Sequence, residues 1–115
     1  MASKIIFSNL SRNDDFTILI NGQEAGKVLP LKTMTIDVEQ GKYDLDVKGS
    51  NEEGLPSTCK PIQITIGEDK SVHLRLLAQH LAIGIFDEKG TQLNDKHGFL
   101  CGYVADGVRV ENPIS

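Results

Sequence analysis

The chain has no tryptophan, and aromatic residues make up 5% of its 115 positions. Sugar platforms and base-stacking surfaces rely on exposed rings, so both lose their usual means of recognition here. Arginine occurs only as Arg12, Arg75 and Arg109, far apart in a chain of formal net charge -4. Phosphate contacts come from clustered Lys and Arg, and no such cluster is present, so no nucleic-acid partner is expected. Long apolar runs are also missing. Ile5-Ile6-Phe7 is too short for a signal-peptide core, and no stretch approaches membrane-spanning length. As written, the chain is expected to be cytoplasmic, without membrane insertion. If it belongs to a longer protein, an exported or envelope-associated setting is expected instead.

Cysteine is limited to Cys59 and Cys101. Together they permit one disulfide, and a reducing compartment would keep both free. Buried free thiols, a disulfide and reactive or ligating roles all stay open. Catalytic signatures are absent as well. There is no G-x-S-x-G turn, no P-loop and no G-x-G-x-x-G, so neither a nucleophile elbow nor a nucleotide cradle is indicated.

What the chain does contain is strand pattern. Phe16, Ile18 and Ile20 alternate with Thr17 and Leu19, and Asn21-Gly22 follows as a hairpin turn. Gln23 to Leu29 returns, with Gly26 marking a bulge or bend and Pro30 ending the strand. Lys4–Asn9 precedes this hairpin as a first strand. Leu31 to Val38 places Met34, Ile36 and Val38 on one face, and Tyr43, Leu45 and Val47 alternate in the same way. Pairing Val38 with Tyr43 sets Ile36 against Leu45 and Met34 against Val47, which predicts a hairpin in that register. The same logic pairs Ile66, Ile64 and Ile62 with Val72, Leu74 and Leu76. Further strands are expected at Ala82–Phe86, Thr91–Leu93, Phe99–Val104 and Val108–Val110. Asp87–Gly90 and Asp106-Gly107 read as turns between them. No helical period is sustained, and strands recur at all-β spacing.

The run Thr17-Ile18-Leu19-Ile20-Asn21-Gly22, then Ala25-Gly26-Lys27-Val28, then Glu39-Gln40-Gly41-Lys42-Tyr43-Asp44-Leu45, resembles a PEGA domain, a small β-sandwich module of prokaryotes. Val72-His73-Leu74-Arg75-Leu76 matches that family's closing strand. The resemblance covers residues 16–76. The signature Pro-Glu-Gly-Ala is replaced by Asn13-Asp14-Asp15-Phe16, and nothing from Gln79 onward has a counterpart. The resemblance implies a non-catalytic module and carries over no functional residues.

A single domain over residues 1–115 is therefore expected: an antiparallel, immunoglobulin-like or PEGA-like β-sandwich of about seven to ten short strands. Ile18, Ile20, Ile36, Val38, Leu45, Val47, Ile64, Ile66, Val72 and Leu74 should supply much of its core.

Candidate binding residues are few. Asp37, Asp44 and Asp46 would share one face of the predicted hairpin, with Asp37 opposite Asp44. Like charges so placed repel, and a hard cation such as calcium would relieve them. A solvated face with Lys32, Lys42 and Lys48 nearby is the simpler account, since calcium wants more ligands than this. His73, His80 and His97, with Cys59 and Cys101, lack the paired spacing of structural zinc sites, so no metal or other cofactor is assigned. His97 beside Cys101 is the least implausible catalytic pair, and His73 reads as a surface residue. Three functions remain. The first is a non-catalytic module binding a protein partner by a sheet edge or loops, with homodimerisation through an edge strand also open. The second is a small-ligand or glycan module, and the third a small cysteine/histidine enzyme.

Overall fold

The computed structural model describes residues 2–95, 100, 103–105 and 107–112. Among them, eleven strands form and no helix does. In chain order these are β1 (Ser3–Asn9), β2 (Asp14–Ile20), β3 (Gln23–Val28), β4 (Thr33–Val38), β5 (Gly41–Asn51) and β6 (Pro56–Thr58). They continue as β7 (Ile62–Ile66), β8 (Ser71–Gln79), β9 (Ala82–Phe86), β10 (Tyr103–Ala105) and β11 (Val108–Glu111). The all-β expectation holds.

The sheet is mixed. β1 lies parallel to β8, and β6 meets β9 in a parallel bridge, whereas the other ladders are antiparallel. The strands run in the order β4-β1-β8-β9-β6-β5, and at β5 the sheet forks. One edge of β5 carries β2, from Leu45 to Asn51. Its other edge carries β7 from Gly41 to Leu45 and then β6 from Lys48 to Ser50. β3 extends beyond β2, and β11 and β10 extend beyond β7.

The sheet curls until β3 comes alongside β4, which nearly closes it into a barrel. No ladder joins β3 to β4 among the described residues. A side chain fills the seam instead. A Cβ on Gly26 would stand 2.7 Å from the Met34 sulfur, so glycine lets Met34 lie against bare backbone.

Both predicted apolar hairpins are corrected. β4 pairs with β1 in the register Ile5↔Ile36 and Phe7↔Met34, not with β5. β7 pairs with β5 and β11, and β8 with β1 and β9, so the Ile62–Leu76 hairpin does not form either. Adjacent strands here cross from one side of the core to the other. The alternation assigned β4, β5, β7 and β8 their inward faces correctly, but any inward face suits any other. The short hairpins fare better. Asn21 (φ 52°) and Gly22 (φ 82°) turn β2 into β3, and a register shift leaves Ala25 unpaired beside Gly26. Gly90 (φ 86°) closes the Asp87 turn by donating to the Asp87 carbonyl at 3.1 Å. Gln92 then returns as a bridge to Phe86. β10 and β11 form the last hairpin, while the expected strand positions Phe99 and Cys101 lie outside the described residues.

The core joins both sides of the curled sheet. Phe7, Phe16, Ile18, Leu45, Val47, Ile62, Ile64, Leu74, Leu76, Ile83 and Ile85 are fully buried. Of the expected core, Ile20, Ile36 and Val38 are only partly buried, because the last two sit on β4 at the seam. Buried polar side chains fasten strand ends. Asn9 donates to the carbonyls of Asp14 (2.6 Å) and Val28 (3.1 Å) and accepts from the Ser11 amide (2.8 Å), tying β1, β2 and β3 together. Asn94 does likewise for β9, accepting from the Ile85 amide and donating to the Ile83 carbonyl.

Ser57 is the exception. Its buried hydroxyl has no hydrogen-bond partner among the described residues. Gly49, its cross-strand neighbour, has no room for a Cβ, which would run into the Ser57 hydroxyl and stand 2.9 Å from the Phe16 ring. Ser57→Ala should therefore be neutral or stabilising, by up to about 1 kcal/mol, because it removes a dry hydroxyl. Gly49→Ala should destabilise by about 1–3 kcal/mol through overpacking. Adding Ser57→Ala should recover part of that loss, since the two sites share one clash. Chemical denaturation of the four proteins measures all three effects.

Candidate functional site

Strand direction brings one set of loops together. β1, β3, β5 and β8 end where β2, β4, β6 and β9 begin, so the four connecting loops gather at one end of the barrel. All four exposed large hydrophobic residues among those described sit on these loops: Leu29, Leu31, Leu55 and Leu81. Leu55 and Leu81 line one depression with Pro56 and His80. The backbone is strained at the same place. Leu31 (φ 60°) holds a left-handed conformation that such a side chain rarely adopts, whereas His80 (φ 59°) sits in the two-residue β8–β9 turn, where it is ordinary. The other left-handed residues lacking glycine's freedom, Asn21 and Asp69, sit in turns at the far end, where such conformations are ordinary.

A second arrangement lies on the outer face of β4-β1-β8. Outward alternation brings Thr33, Ser8, His73 and Arg75 side by side. The Ser8 hydroxyl lies 2.7 Å from His73 Nε2 and 3.0 Å from the Thr33 hydroxyl. His73 Nδ1 lies 3.6 Å from a carboxylate oxygen of Glu88, which the Asp87–Gly90 turn carries over the sheet. With Lys32, Leu31 and the end of β1 they line a cleft of about 370 Å³.

A serine, an imidazole and a carboxylate in that order suggest acyl transfer, which also needs donors for the developing oxyanion. The nearby amides are committed elsewhere. Asn9 donates to the Lys32 carbonyl and Leu10 to that of Leu76, and β1 is paired along both edges. The row is therefore a hydrogen-bonded surface network in which the Asn9 and Leu10 amides are not free to hold an oxyanion. His73 was visible in sequence as a surface residue, but only the non-local placement of β1 between β4 and β8 joins it to Ser8 and Thr33.

The predicted acidic face does not assemble as expected. Asp37 is exposed on β4 and stands opposite Lys4 of β1, not opposite Asp44. Asp44 and Asp46 do share the outer face of β5. There Asp44 accepts from the Gln63 side chain at 3.1 Å, and its amide donates to Asn21. Among the described residues, no group of three or more His, Cys, Asp or Glu is placed to hold a metal ion. His97 and Cys101 lie outside the described residues. Cys59 is free and half-buried, and burial, reinforced by the Asp46 carboxylate, pushes its thiol up to about 11. No helix among the described residues is long and apolar enough to cross a membrane. Comparison with protein-family models, with curated proteins and with solved structures returned no match.

The raised thiol pKa gives a clear expectation. Only the thiolate is nucleophilic, so Cys59 in a Cys101→Ser background should react sluggishly with maleimide at pH 8 and accelerate toward pH 11. The folded value lies above the ordinary 9.0, so the unfolded chain loses this proton first as pH rises. The stability from the neutral thiol is complete below pH 9 and falls away as pH approaches 11. Cys59→Ala should flatten that part of a stability–pH curve measured by denaturation.

Proposed function

We propose that this protein is a non-catalytic β module that binds a protein partner through the loops at one end of its barrel. The observation that carries the reading is the segregation of Leu29, Leu31, Leu55 and Leu81, each at least half exposed, to that end. Apolar side chains gathered on a surface favour a partner that takes them out of water. Strain at Leu31 supports the same reading, since strained backbone clusters where structure serves recognition. The frame belongs to the proposal too. β4-β1-β8-β9 and β3-β2-β5-β7 enclose one core between them, in the manner of an immunoglobulin-like or PEGA-like sandwich. The resemblance of residues 16–76 to PEGA modules agrees with a binding role.

A photo-crosslinking amino acid at position 81, expressed in the native host, should capture one discrete protein. The same group at Gln40, exposed at the far end, should capture none. Leu31→Asp combined with Leu81→Asp should weaken binding of the captured protein at least about tenfold, roughly 1.4 kcal/mol, while leaving the melting temperature unchanged. Equal capture at both positions, no capture at position 81, or unaltered binding by the double variant would overturn the reading.

A further inference from the structure

We propose that the cleft on the outer face of β4-β1-β8 binds a phosphate-bearing small molecule. The cleft adjoins the loop-end partner site and shares Leu31 with it; phosphate binding and partner capture at position 81 are separate readouts, so either proposal can fail alone.

Charge is the first argument. The chain carries 16 acidic residues against 12 Lys and Arg. In such a protein a cation readily finds a carboxylate, as Arg109 finds Glu111 at 3.3 Å. Lys32 and Arg75 line the same cleft, yet neither forms an ion pair among the described residues. Arg75 is also half-buried, where an unpaired guanidinium is more costly than in open water. The single carboxylate lining the cleft, Glu88, leans toward His73 and is 73% exposed.

Donor chemistry is the second. Lys32 and Arg75 supply charged N–H donors, Ser8 and Thr33 supply hydroxyls, and His73 adds a third charge when protonated. A phosphate monoester offers about two negative charges and three strong acceptor oxygens, which such a set can meet together. A carboxylate offers one charge and two oxygens, and leaves part of the set unmet. The cleft, about 370 Å³, is of small-molecule size.

Titration of the full chain with inorganic phosphate at constant ionic strength, followed by ¹H–¹⁵N NMR, tests this. Saturable shifts are expected at the His73 ring, the Arg75 side chain and the amides around Ser8 and Thr33. Lys32→Gln with Arg75→Gln should weaken phosphate binding at least about tenfold and leave thermal unfolding unchanged. A parallel acetate titration should bind more weakly at the same residues. Non-saturating shifts, phosphate binding untouched by the double variant, or acetate binding as tight as phosphate would each overturn the proposal. If the double variant unfolds early, Arg75→Lys replaces it. That variant keeps the charge but loses the guanidinium fork, and undiminished binding by it together with Lys32→Gln would likewise overturn the assignment.

Discussion

A β-strand has two edges, and both edges of β5 are occupied along most of its length. β2 holds one, while β7 and then β6 share the other. Much of the architecture follows from this. β4 precedes β5 by a two-residue connection, yet the chain crosses the core and lays β4 against β1. β7 takes the first half of β5 and sends β8 across in turn. The short β6 fills the remaining half and hands the sheet on to β9. The curl that results brings β3 and β4 together at a seam closed by Met34 against Gly26 rather than by hydrogen bonds.

Which face the alternating strands bury was legible from the sequence, though the consecutive apolar residues of β1 and β9 hid theirs. Leu45 and Val47, Ile62, Ile64 and Ile66, and Val72, Leu74 and Leu76 all point inward as their alternation predicts. Which strand lies beside which was not. Ile36 meets Ile5 across the ladder as comfortably as it would meet Leu45, so a consistent apolar register cannot select among partners. Turn chemistry carried information that face patterning did not. Asn21-Gly22 and the Asp87–Gly90 turn act over a few residues, and both strand pairs that they predict are present.

The same division explains the sites. Asp37 and Asp44 were set together by a hairpin that does not exist, and they separate once β4 pairs with β1. Ser8 and His73, 65 positions apart, have nothing in their local sequence to join them. Their contact comes from the parallel β1–β8 ladder, which no local pattern announces. The gathering of the exposed leucines at one end follows from strand direction, and so from topology. Polar fasteners such as Asn9 were equally silent, because an asparagine at a strand end looks like any turn residue until its three partners surround it.

The position of β1 also bears on how the protein is made. Of these strands it is the first to leave the ribosome, yet it does not pair with its neighbour in sequence, because β2 pairs with β3 and β5. One of its partners, β4, arrives some thirty residues later, and the other, β8, ends only at Gln79. Until then Ile5 and Phe7, both destined for the core, remain exposed to solvent. Pairings of this reach form slowly, since the intervening loop must be closed before any contact compensates. The nascent chain therefore passes most of its synthesis with its first strand waiting, and the barrel can be completed only after more than two thirds of the sequence has emerged.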